Sequence, residues 1–362
     1  MNIRIVAWIL VLALLLSGCS LLDGEYLSVT PHHAQHTGIQ SGSLSAANYH
    51  ELRQILADLV SAGTENAVIH VAEYPQDKVE SGMDAAVHYL RVLLPLGAYA
   101  LDDLKYEIGT VGGKPAVSVT ISYLHGRSEL RKIKSAVDMQ ETKALMADVL
   151  NQCGEGVVIL VEEFADTDFV QLVQDYAEDH PEQIMELPQV AVGVYPDSGV
   201  SRVVEIKFTY QTSRESLRQM QTQVSRVFAS AALYVSSDSD ELKKFEQFYT
   251  FLMERFDYKM ETSITPAYSL LCHGVGDSKA FATAYAAMCR EAGLDCRVVS
   301  GTHAGEARFW NLIRVGEEYR HVDLPESKAA GQLQMLTDHE MQGYVWDYSA
   351  YPAAGTGAVA VE

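Results

Sequence analysis

The chain has 362 residues, with 48 acidic against 27 basic side chains and a formal net charge of −21. Such an excess of acid argues against binding to nucleic acid or electrostatic docking on anionic lipid, so neither is expected as a partner. The length leaves room for about two or three domains with real cores, and five cysteines in a chain of this size do not make a disulfide framework.

Arg4 precedes an unbroken apolar run from Ile5 to Leu16, followed by Leu16-Ser17-Gly18-Cys19. The run is too short to span a bilayer and fits the apolar region of a secretory signal, residues 1–18. The Leu-Ser-Gly-Cys ending resembles the lipobox of bacterial lipoproteins. That resemblance implies that Cys19 becomes the first mature residue, carries lipid and holds the chain on the extracytoplasmic face of the membrane. Removal of Arg4 takes the mature chain one charge further negative.

Residues 19–46 are rich in Ser, Gly, Thr and His with little periodicity, and read as a flexible tether. His32, His33 and His36 cluster in it, but a loose tether lacks the surroundings that orient imidazoles on a metal. No metal or cofactor is expected.

Two segments further on match each other. Residues 52–74, LRQILADLVSAGTENAVIHVAEY, lie over 142–164, TKALMADVLNQCGEGVVILVEEF, and VTISYLHGRSELRKI from Val119 lies over IKFTYQTSRESLRQM from Ile206. A match that keeps its order and nearly its spacing predicts two copies of one α/β module, residues 47–137 and 139–228. Each is expected to run helix, strand, helix, strand, strand and closing helix. The alternation in VTISY and VEIKFTY predicts antiparallel sheets with one buried face. No phosphate-binding glycine loop follows any of these strands, and the modules read as spacers or binding units.

SSDSDE at 236–241 then opens a helix whose Leu242, Phe245, Tyr249, Leu252 and Phe256 share a face, with Asp238 and Glu241 placed as a capping box. It leads into AYSLLCHGVGDSKAFATAYAAMCREAG, 267–293, then CRVVSG at 296–301, RFWN at 308–311 and YRHVD at 319–323. This stretch, 238–352, resembles a bacterial transglutaminase-like domain with the papain-related core. Ala267-Tyr268, Leu271, Gly274, Phe281-Ala282 and Gly293-Leu294 keep the family's entrance and helix, and Trp310, Asn311 and Asp323 keep its later motifs. The resemblance implies a papain-like core for this stretch, and the chain as a whole is expected to be α+β, with the two repeated modules followed by this domain and a disordered tail at 353–362. It also places Ser278 on the nucleophile position, where the family carries cysteine, and Arg308 on the histidine position. Asp323 keeps the acid.

Those two exchanges remove what acyl transfer needs. A cysteine at a helix start is activated because unpaired amides, the helix dipole and a neighbouring imidazolium favour its thiolate. A serine hydroxyl gains little in that way and needs a base within reach, and a guanidinium never gives up its proton. Cys272 beside His273 offers another thiol, and His321 or His303 another imidazole. Of the remaining cysteines, Cys289 and Cys296 bracket a helix-to-strand turn and could pair or remain buried thiols. Two functions therefore stand at this stage. One is a non-catalytic lipoprotein whose domain binds a peptide, cell-wall fragment or protein partner. The other is a residual hydrolase or acyltransferase using Ser278 or Cys272 with a relocated histidine.

Overall fold

The computed structural model describes residues 44–259 and 266–355. The signal segment 1–18, Cys19, His32, His33, His36 and residues 356–362 lie outside the described residues. No helix among the described residues is long and apolar enough to cross a membrane.

From Leu44 the chain builds two four-stranded sheets in succession. The first holds β1 (Leu44–Ser45), β2 (Asn66–His70), β3 (Leu101–Val111) and β4 (Lys114–Tyr123) in the order β1-β2-β4-β3. The second holds β5 (Lys134–Ala136), β6 (Gly156–Val161), β7 (Gln189–Tyr195) and β8 (Arg202–Thr209) in the order β5-β6-β8-β7. In each, the first strand runs parallel to the second and the other pairs are antiparallel. The expectation of wholly antiparallel sheets is thus corrected at β1 and β5. These strands are only two and three residues long, too short to show the alternation by which a strand is read from sequence.

The helices that cover the sheets begin on the same chemistry. Asn48 caps α1 (Tyr49–Ala62) by accepting the Glu51 amide at 3.0 Å, while the Glu51 carboxylate accepts the Ala47 amide at 2.8 Å. Asp138 caps α5 (Met139–Asn151) by accepting the Gln140 and Glu141 amides, and the Glu141 carboxylate accepts the Val137 amide at 2.8 Å. Each arrangement satisfies amides that an uncapped first turn would leave open. Leu52, Leu56 and Leu59 of α1 pack with Ile69, Val117 and Val119 of the first sheet, joined by α2 (Val79–Val92). Met146 and Leu150 of α5 pack with Ile159, Ile206 and Phe208 of the second, joined by α6 (Phe169–Asp179). Between α2 and β3 lies α3 (Pro95–Ala100), whose Tyr99 and Ala100 bury against Val203 of the second sheet.

After their last strands the two units diverge. A single turn, α4 (Arg127–Leu130), closes the first, whereas the 21-residue α7 (Arg214–Tyr234) follows the second. Leu217, Val224, Phe228 and Ala231 of α7 enter one core with α8 (Glu241–Arg255), α9 (Pro266–His273) and α10 (Ser278–Glu291). Packing therefore runs through the expected boundary at 228–238. Asp240 rather than Asp238 caps α8, accepting the Lys243 amide at 2.7 Å.

The last sheet is antiparallel, with β11 (Cys296–His303), β12 (Glu306–Val315), β13 (Glu318–Val322) and β14 (Tyr344–Trp346) in the order β13-β12-β11-β14. Adjacent residues of a strand face opposite sides, and β12 shows this. Ile313 shares a core with Ala280 and Ala284 of α10, while Trp310 and Leu312 pack on the other face with Val299, Met341 and Trp346. Alanines along α10 let it lie close to the sheet. Gly301 is required where β14 joins: a Cβ there would stand 2.3 Å from the Val345 carbonyl oxygen and 2.7 Å from the Trp310 ring. Residues 353–355, expected in the tail, belong to the fold. Ala354 is fully buried in the Trp310 cluster and its carbonyl accepts the Asp338 amide at 2.9 Å.

Candidate functional site

The short parallel pair β9 (Asp257–Tyr258) and β10 (Val275–Gly276) sets Tyr258 opposite Gly276, just ahead of α10. Asp277 caps α10 by accepting the Ala280 amide at 2.9 Å, and Ser278 is the first helical residue. Ser278 is buried, and its hydroxyl oxygen accepts the Phe309 amide of β12 at 3.3 Å. That is its one hydrogen bond among the described residues. No side-chain base among the described residues bonds to it.

Beside it, β12 and β13 bring Arg308 and Asp323 together. Arg308 Nε donates to Asp323 Oδ2 and Arg308 Nη2 to Asp323 Oδ1, both at 2.7 Å. The Arg308 side chain is 11% exposed and that of Asp323 2% exposed, so this is a buried, two-pronged ion pair. Arg308 Nη1 also donates to the Tyr258 hydroxyl at 3.0 Å, and Nη2 reaches Glu326 at 3.4 Å. Burial works against the charged guanidinium, but the hydrogen bonds and charge of Asp323 more than offset it and hold the pKa above its usual value.

Asp323 is saturated. Besides Arg308 it accepts the Tyr344 hydroxyl at 2.9 Å and the Glu326 amide at 3.1 Å, capping α11 (Leu324–Ala330). Burial first, then the Asp323 carboxylate, pushes the Tyr344 phenol well above its usual pKa, so it remains a donor. Tyr258, Tyr344 and Glu326 complete a shell that the motifs did not single out. Tyr258 sits 20 residues ahead of Ser278, and Tyr344 arrives on β14 from the far end of the domain.

Neither alternative imidazole serves Ser278 as a base. His321 is fully buried on the sheet face away from α10, with Trp310 and Trp346. Trp310 Nε1 donates to His321 Nδ1 at 3.0 Å, so Nε2 carries the proton and donates to Asp338 at 2.9 Å. Both nitrogens are committed. Burial, outweighing the hydrogen bond and charge of Asp338, holds its pKa below the usual 6.5. His303 stacks on Tyr344, ring centroids 4.0 Å apart and planes within 4°.

Cys272 lies on α9, packed against the core, and burial pushes its thiol above the usual value, the reverse of activation. Its neighbour His273 turns edge-on to Tyr268 instead. Cys153, Cys272, Cys289 and Cys296 are all free thiols; Cys289, raised well above its usual pKa by burial, hydrogen-bonds with Cys296 and Tyr285. Among the described residues no group of three or more His, Cys, Asp or Glu side chains could hold a metal.

Residues 229–324 match the family model of the transglutaminase-like superfamily. No curated protein matches the chain. Among solved structures it is similar to a TGase, with 12% identity, a TM-score of 0.27 and 63% of each chain covered. A candidate cysteine protease from Cytophaga hutchinsonii aligns at 11% identity and a TM-score of 0.25, over 44% of this chain and 70% of its own. A candidate protease from Parabacteroides distasonis aligns at 10% identity and a TM-score of 0.24, over 71% of this chain and 39% of its own. The chain thus spans less than two thirds of the TGase chain, and likenesses this slight carry no argument about activity.

Proposed function

We propose that this chain, which carries a transglutaminase-like domain, is a lipid-anchored extracytoplasmic protein whose domain no longer transfers acyl groups and instead binds a peptide, cell-wall fragment or protein partner. The observation that carries this reading is the buried two-pronged pair of Arg308 and Asp323 in the place of a histidine and its acid. Proton transfer needs a group that can take a proton and later return it. Arg308 cannot take one, and Asp323 has its oxygens occupied. Removing one member of a nucleophile–base pair typically costs on the order of 10⁴–10⁶ in rate; here the strong nucleophile and the base are both replaced. The Leu16-Ser17-Gly18-Cys19 sequence supports the anchor.

A fluorophosphonate probe, which forms an adduct only with an activated hydroxyl, tests the catalytic half. Incubation followed by peptide mass spectrometry should leave Ser278 unmodified, and an adduct at Ser278 would overturn the reading. For the anchor, Cys19→Ala should move the protein out of the membrane fraction. Unchanged fractionation would reject lipid attachment.

A further inference from the structure

Each four-stranded sheet has two outer strands, and an unpaired outer edge offers amides and carbonyls to any strand that meets it. Among the described residues these edges are protected in different ways, save one. β1, β5 and β14 are only two or three residues long. β13 is covered where His321 and Leu336 exchange backbone hydrogen bonds of 2.7 and 2.8 Å. β3 carries Asp102, Asp103, Lys105 and Glu107, and its register breaks between Leu101 and Asp103. β7 holds the place in the second sheet that β3 holds in the first, yet its seven residues, QVAVGVY, carry no charge and pair with β8 without a break. The pairing fixes which of its groups face out. The Phe208 amide donates to the Glu155 carbonyl, so Phe208, Ile206 and Val204 of β8 turn their backbone groups toward β6. The intervening Lys207 and Glu205 turn theirs toward Ala191 and Gly193 of β7. Val190, Val192 and Val194 therefore point amide and carbonyl away from the sheet, and none of these groups has a hydrogen-bond partner among the described residues. The side chains of Val190 and Val194 pack on the second core, whereas Val192 between them is 39% exposed.

We propose that β7 pairs with β7 of a second copy of this chain, antiparallel about a twofold axis at Val192, and joins the two sheets into one. Symmetry then sets Val192 opposite the partner's Val192, Val190 opposite the partner's Val194 and Ala191 opposite the partner's Gly193. In that register the outward amide and carbonyl of each of the three valines meet their complements, and Val192 is covered by its own counterpart. Charge favours a second copy as the occupant. Chains with a net charge of −21 repel one another, and β7 is a strip on which two of them can meet with no charged residue opposite another. A contact built on one strand pair is small, so the association is weak and reversible. This inference is independent of whether Ser278 is active.

Sedimentation equilibrium of the full chain tests it, alone and as the variants Val192→Thr, Val192→Lys and Val192→Glu. The unaltered chain should dimerise reversibly with a dissociation constant of about 1–100 μM. Val192→Thr keeps a branched side chain and every backbone group, and should dimerise within about tenfold of that value. Val192→Lys and Val192→Glu each set like charges directly opposite one another across the axis, and should each weaken dimerisation by at least about tenfold. Mixing those two variants should restore dimers, because opposite charges then stand face to face, and only a contact that places position 192 against itself behaves in this way. An unaltered chain that stays monomeric at about 100 μM would overturn the pairing and leave β7 to a strand of another protein. Dimers that Val192→Lys leaves intact would also overturn it, as would a mixture of the Val192→Lys and Val192→Glu chains that remains monomeric.

Discussion

Two carboxylates beside the last sheet, Asp323 at the start of α11 and Asp338 ahead of β14, hold basic partners, and they differ in what those partners can do. Asp323 holds Arg308, a permanent cation fixed by two hydrogen bonds of 2.7 Å beside the Ser278 helix start. Asp338 holds His321, a group able to titrate, but on the opposite face of the sheet and with its other nitrogen taken by Trp310. Acyl transfer needs a hydroxyl or thiol, a titratable base and an orienting acid in one place. All these residue types occur in the 61 residues from Ser278 to Asp338, yet the titratable base and the hydroxyl are separated by the thickness of a sheet. The difference teaches that inventory is not chemistry: one network stores a charge, the other a proton, and neither can pass its proton to Ser278.

The Arg308 network should be the more costly to break. Arg308→Met leaves Asp323 buried with a negative charge and no cation, and loss of one partner from a buried pair costs about 3–5 kcal/mol. Urea denaturation should register that loss. Adding Asp323→Asn should recover much of it, because asparagine carries no charge and its oxygen can still cap α11 while its amide nitrogen donates to the Tyr344 hydroxyl. A loss under about 1 kcal/mol for the single change, the range of an exposed pair, would mean that water reaches the site and that the pair is not the fixed element described above.

The sequence made the pair legible and hid its setting. RFWN and YRHVD stand close enough to be read as neighbouring strands, which brings Arg308 and Asp323 into one frame. Tyr258 and Tyr344 come from opposite ends of the domain, and no local pattern ties either to Asp323. His321 could be read as facing the same way as Asp323, since the two are separated by two positions on a strand. Nothing in YRHVD says that Trp310 and Asp338 will occupy both of its nitrogens, because the first contact depends on the pairing of β12 with β13 and the second on the return of the chain along 336–354. Elsewhere, the helix starts at Asn48 and Asp138 follow from capping chemistry written beside them, whereas β1 and β5 exist only through pairing with a strand some twenty residues later. The packing of Ala354 is likewise invisible locally: an alanine in a run of small residues reads as tail until a tryptophan cluster is there to receive it.

A smaller, pH-dependent effect should mark the His321 network and not the Arg308 one. The folded protein holds His321 neutral with its pKa below the ordinary 6.5 because burial opposes the charge, whereas in the unfolded chain the imidazole is free to protonate near that value. Above about pH 6.5 both states are neutral and the stabilisation is fully present. As pH falls below it, the unfolded state takes up a proton that the folded state resists, so stability declines, by up to about 1.4 kcal/mol per pH unit for one group. The decline ends once pH passes below the folded-state pKa. Protonation at Nδ1 would also displace the Trp310 N–H, since a protonated imidazole has no acceptor to offer. Arg308 stays charged throughout this window. Denaturation series at pH 7, 6 and 5 should therefore show His321→Gln with a lower stability at pH 7 but a shallower decline than the unaltered protein, while the double change Arg308→Met with Asp323→Asn, which leaves no titratable group at that site, shifts stability with little change in slope. Equal slopes for the unaltered protein and His321→Gln would place the acid-sensitive proton elsewhere and remove the distinction between a network that stores a charge and one that stores a proton.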